Sequence, residues 1–178
     1  MNLIMNLDFT RINLEEFFGC VNATNTEEMK SNTFKTFRTY LQEKSFAKWS
    51  DEQVKYVGDY MNGVDFIGED QLRYEMKGIL GMFQKNGSTK VITLKNFAGK
   101  TKVVNKTFDY MFLVDTKNMS IGYTDWDTVN QRAYWDSSST TANVKFLPGD
   151  YKILYSNVKP VTKSITASNI IDGVERIL

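Results

Sequence analysis

The sequence predicts an α+β fold: a helical N-terminal region, then an antiparallel β-sheet or small barrel or sandwich, then a C-terminal arm. Three observations lead there. Up to Asn86-Gly87 apolar residues recur at helical spacing behind capping signals. From Lys90 the apolar period drops to two. After Asn157 the chain turns polar before a last short apolar stripe. The corresponding regions are residues 1–87, 88–158 and 159–178, with Asn86-Gly87-Ser88 as the only candidate joint.

In the first region Asn13-Leu14-Glu15-Glu16 starts a short helix, with Asn13 as cap. Thr24-Asn25-Thr26-Glu27 has the capping-box form, and Phe34, Phe37 and Leu41 share a face behind it. Ser50-Asp51-Glu52-Gln53 is a second box, followed by Val54, Val57 and Met61, with Gly58 weakening the stripe and Asn62-Gly63 ending it. A third helix is expected from Glu69, carrying Leu72, Met76, Ile79, Leu80 and Phe83 and ending at Asn86-Gly87. Gly78 and Gly81 interrupt it, which either the close approach of another helix or subunit or simply a tolerated weak helix would explain.

In the second region Lys90 to Lys95 alternates around Ile92 and Leu94. Phe108, Tyr110, Phe112 and Val114 mark one face of a strand. Asp115-Thr116-Lys117-Asn118 is a turn, since Asp and Asn bond their own backbone, and Met119, Ile121 and Tyr123 return as the second strand of a hairpin. Asn143 to Leu147 and Tyr151 to Tyr155 form another hairpin through Pro148-Gly149-Asp150. The arm from Asn157 to Ala167 is polar and extended, with Pro160 disfavouring helix, and Ser168 then caps a short amphipathic helix bearing Ile170, Ile171, Val174, Ile177 and Leu178.

Composition narrows the function. The 178 residues are 42% hydrophobic, enough for one domain with a core or two small lobes. A net charge of +1 gives no global field toward nucleic acid or membrane. With no histidine, Ser-His-Asp and Cys-His nucleophile systems and His-ligated zinc are excluded, and the single Cys20 allows neither an internal disulfide nor a Cys-only zinc site. Carboxylate or lysine chemistry stays open, but a non-enzyme without cofactors is expected. The opening MNLIMNLDF lacks the basic start and long apolar run of a signal peptide, and no stretch reaches the ~18 apolar residues of a membrane helix. The expected setting is a reducing cytoplasm. Abundant Asn and Lys with two prolines fit AT-rich coding, common in bacteriophages, and the Asn-x-Ser/Thr triplets at Asn22, Asn86, Asn105 and Asn118 carry little meaning without secretion.

Four stretches invite functional readings. Ala98-Gly99-Lys100-Thr101 has the tail of a phosphate-binding loop, but Leu94 stands where its first Gly belongs and a strand is expected to follow instead of a helix, so a plain turn is favoured. Lys95, Phe97, Lys100, Lys102 and Lys106 form a basic, aromatic segment of the kind that stacks single-stranded nucleic acid, against the plainer reading of a lysine-rich solvent face with core-facing aromatics. Asp125-Trp126-Asp127, with Trp135 and Asp136, could bind sugar or hold a divalent metal if its two carboxylates share one side of an extended chain. Trp126 and Trp135 are better read as large anchors brought together by a turn at Thr128 to Gln131, in the core or at an interface. The arm is the fourth: a stripe of Ile170, Ile171, Val174, Ile177 and Leu178 beyond a polar link gains stability by docking on a neighbour. The expected function is therefore a structural or assembly protein, such as a bacteriophage capsid, connector or tail part, with protein subunits as partners. A nucleic-acid-binding module and a carbohydrate-binding domain are the alternatives.

Overall fold

The computed structural model describes residues 4–61, 63–97, 104–135 and 140–161. After a 3-10 turn at Phe9–Arg11, helix α1 runs Leu14–Ala23, capped where the sequence places it: the Asn13 side chain accepts the Glu16 N–H at 3.2 Å. Its apolar residues Leu14, Phe17, Phe18 and Val21 are all buried. The Thr24 box does not open a long helix. Residues 25–34 form turns instead, and α2 covers Lys35–Lys48, burying Leu41 and Phe46 while Phe34 and Phe37 are half-buried.

The two later helices expected in this region are strands. At the Ser50 box, Asp51 and Glu52 both take positive φ (57° and 61°), which turns the chain out of any helix, and Val54–Tyr56 becomes β1. Gln53 is fully buried as a tie to the N-terminal segment, donating to Asp8 O at 2.9 Å and accepting from Asp8 N at 2.6 Å. Strand β2 is Phe66–Gly68. The strongest helical pattern, from Glu69 to Phe83, is overturned by β3 at Arg73–Ile79. Its first residues alternate Tyr74 and Met76, buried, with Arg73, Glu75 and Lys77, partly exposed, and Leu80 from the supposed helical stripe is 41% exposed. Residues 1–87 thus hold three strands as well as the helices.

The remaining strands are β4 (Ile92–Leu94), β5 (Tyr110–Asp115), β6 (Ser120–Asp125), β7 (Ala133–Trp135), β8 (Ala142–Val144) and β9 (Lys152–Tyr155), with a short helix α3 at Trp126–Arg132. A six-stranded sheet has the order β1-β2-β3-β5-β6-β9, and a three-stranded sheet the order β4-β8-β7. The expected β5–β6 hairpin is present, but the large sheet is mixed: β3 and β5 run parallel, from Tyr74 against Tyr110 to Ile79 against Asp115. No barrel closes. The second expected hairpin is also corrected. β8 pairs with β4 and β7, whereas β9 pairs with β6, so Pro148-Gly149-Asp150 carries the chain from one sheet to the other.

The result is a layered α+β fold. On one face of the large sheet, α1 and α2 enclose a core of Phe17, Phe18, Phe46, Phe66, Tyr74 and Phe112. On the other face, the small sheet and α3 enclose Met111, Leu113, Ile92, Val144, Phe146 and Trp126. Strand β5 feeds alternate residues to both, which is why it reads as a nearly continuous apolar run. Gly78 does serve close approach of a helix, though from within a strand: a Cβ there would lie 2.6 Å from the Gln42 side-chain oxygen of α2. No helix among the described residues is long and apolar enough to cross a membrane.

Candidate functional site

The Tyr123–Trp135 stretch is mainly structural. Asp125 ends β6 and caps α3, its Oδ1 accepting the Thr128 N–H at 2.8 Å. Asp127 lies in the first turn of that helix, so the two carboxylates do not flank an extended chain, and residues 128–131 are helix instead of a turn. Trp126 is 6% exposed, with ring centroids 5.2 Å from Phe97 and 4.9 Å from Phe108. Trp135 on β7 is half-buried, and Phe97 also lies 6.0 Å from it, so one phenyl ring touches both indoles. A bidentate pair from Arg132 to Asp150 (2.7 and 3.2 Å) ties α3 to the turn between the sheets. Asp136 lies outside the described residues, as do Ile170, Ile171, Val174, Ile177 and Leu178 of the expected interface.

Of the basic aromatic segment, Phe97 is occupied by the tryptophans, Phe108 is buried, and Lys106 pairs with Asp109 at 3.1 Å. Lys95 is exposed at the rim of a cavity of about 370 Å3 that Phe97, Phe108, Glu75 and Lys77 also line. Lys100 and Lys102, with the rest of the Ala98–Thr101 stretch, lie outside the described residues.

The densest unspent chemistry lies elsewhere, at the edge of β3. Beyond Tyr74 this strand outruns β2, and the next outward backbone donor, Met76 N–H, is met by the Asp65 carboxyl at 2.8 Å. Glu75 faces Asp65 and lies 3.3 Å from the Lys77 ammonium. Glu43 reaches the same place from α2, facing Tyr56 of β1 and lining one cavity with Lys77. Three carboxyls from three parts of the chain therefore share one ammonium. Burial, then the neighbouring Glu75 charge, pushes Glu43 up to about 7. Burial, then Glu75 and Glu43, pushes Asp65 up to about 8. Burial raises Glu75 as well, and also the Tyr56 phenol. Near neutral pH the group holds protons that ordinary carboxyls would have lost. Sequence reasoning misses it, because the helix expected from Glu69 covers Glu75 and Lys77 and gives no reason to bring them to Glu43 and Asp65. The strict alternation Arg73-Tyr74-Glu75-Met76-Lys77 is the signal that marks the strand.

A last feature is the edge and the exit of the chain. β9 is the terminal strand of the large sheet, with Ile153 43% exposed. Past it, Asn157 takes φ 54°, Val158 N–H bonds Met119 O at 2.9 Å, and Val161 N–H bonds Glu15 O of α1 at 3.3 Å. Gly19 makes room for this crossing, since a Cβ there would lie 2.8 Å from Val161 O. No protein-family model, curated protein or solved structure matches this chain.

Proposed function

We propose that this chain is a non-enzymatic assembly protein that holds other subunits through its C-terminal arm, in a particle such as a bacteriophage capsid, connector or tail. What supports an assembly role is the path of the chain after β9. Among the described residues the buried apolar members of both cores lie between Ile12 and Phe146, whereas Val161, hydrogen-bonded to α1, is 39% exposed. The sequence beyond carries Ile170, Ile171, Val174, Ile177 and Leu178 at helical spacing. An apolar stripe that follows a chain already at the surface gains most by burial on a neighbouring subunit. The outer edge of β9, unpaired among the described residues, offers that neighbour a backbone to pair with, beside the exposed Ile153.

Deleting the chain after Pro160 tests the proposal. The full chain is expected to have the mass of a defined oligomer by light scattering and to carry no nucleic acid by its 260/280 nm absorbance. The truncated chain is expected to fall to monomer mass with its far-UV circular dichroism little changed. Equal masses for the two chains would remove the arm from the assembly and the proposal with it.

A further inference from the structure

The β3 edge cluster is a mechanical joint as well as a group of acids. It is where α2, β1, the turn at 57–61, Asp65 and β3 meet, and between Met76 and Ile79 the outer side of β3 carries no strand among the described residues. A cavity of about 250 Å3 runs along that side, between Gln42 and Glu43 of α2 and the Val91 to Thr93 segment. With the cavity of about 370 Å3 that also reaches Glu75 and Lys77, it leaves the cluster narrowly separated from solvent on two sides. Contacts across the joint converge on Asp65, through its backbone and its carboxyl. Val57 N–H bonds Asp65 O at 2.7 Å, Asp65 N–H bonds Tyr74 O at 2.9 Å, and the Asp65 carboxyl holds Met76 N–H.

We propose that this network is a proton-operated latch: protons held among Glu43, Asp65 and Glu75 let α2 and Asp65, with the 57–61 turn bonded to it, close on the edge of β3, and loss of the protons drives them apart. The charged and titratable groups that face it are few. α2 brings Glu43, with Lys35 lining the cavity and Lys44 placed over the Tyr40 and Tyr56 rings at 5.5 and 5.2 Å. β1 brings Tyr56, the turn brings Asp59, Asp65 lies beyond it, β3 brings Glu75 and Lys77, and Lys95 stands at the far cavity. Only Lys77 is within ion-pair distance of one of the three carboxyls among the described residues. Full ionisation therefore leaves like charges facing one another with too little countercharge.

The sign follows from linkage. These acids hold more protons folded than unfolded from their ordinary range up to about 8, the value reached by Asp65. The stabilisation is complete at low pH and is lost as pH rises through 7 to 8, the values of Glu43 and Asp65.

Amide hydrogen exchange on the full chain, corrected for the intrinsic effect of pH, tests the latch at pH 6 and pH 9. The protection of Val57, Asp65 and Met76 is expected to fall at least tenfold between the two, up to about tenfold per pH unit for each proton released. Amides of β5 and β6 should keep theirs. Glu75→Gln, neutral at every pH, is expected to flatten the difference. Lys77→Met, which removes the countercharge, is expected to move the loss to higher pH. Equal protection of the natural chain at the two pH values would overturn the latch. So would a fall shared by all amides alike, or a fall that survives in Glu75→Gln with its midpoint unmoved in Lys77→Met.

Discussion

Replacing Asp115 by alanine is expected to lower stability by about 3–5 kcal/mol, read from urea unfolding. This side chain is fully buried at the end of β5. Its Oδ1 accepts the N–H groups of Gly81, Lys117 and Asn118 at 3.0 to 3.1 Å, and its Oδ2 accepts Phe83 N–H and the Asn118 side-chain amide, both at 3.0 Å. One carboxyl thus closes the β5–β6 turn and anchors the segment that leaves β3. Alanine strands those donors in a site that water enters only by disrupting the turn. Asp115→Asn should recover less than half of the loss, because its NH2 faces donors at one of the two oxygen positions. A loss under about 1 kcal/mol for the alanine variant would mean that water replaces the carboxyl freely.

Phe112→Ala is expected to cost about 3–5 kcal/mol. The ring is fully buried on the central strand and lies 5.0 Å from both Phe46 and Tyr74, 6.0 Å from Phe9 and 6.5 Å from Phe66. It therefore joins α2, β2, β3 and the N-terminal segment in one aromatic group, and the cavity left by truncation has rigid neighbours on every side. Phe112→Leu should lose less, since it keeps most of the volume. Tyr60→Ala, at a position 68% exposed, is expected to stay within about 0.5 kcal/mol and serves as the control in the same unfolding series. Similar losses at positions 112 and 60 would contradict the packing described.

Local signals survived into the structure where the interaction itself is local. Asn13 caps the helix that begins at the next residue by accepting an N–H three residues on, and Asp115 bonds its own turn, so both were legible. The β3 segment was not, for a definite reason. Leu72, Met76, Ile79 and Phe83 happen to match a helical stripe, while the choice of strand is made by pairing with β5, just before which Asp109 meets Arg73 from 36 residues away. At the Ser50 box, a capping signal lost to two successive left-handed residues. The size of Trp126 suits a core anchor and it is buried as one, although a helix, not a turn, sets it in place. The carboxyl cluster left no local trace, because Glu43, Asp65 and Glu75 come together only when three elements have packed.

The parallel register of β3 against β5 has a consequence for how the chain folds. The strands before it, β1 to β3, form a local antiparallel unit, and β5 with β6 forms another. The two are joined by the seam between β3 and β5, and closing it fixes the long excursion that carries β4. Loop-closure entropy must be overcome there before the seam gains its hydrogen bonds, so the seam is the natural place for the folding barrier. Each hairpin can form early and break often, and the molecule becomes one body only when that single parallel pairing is made.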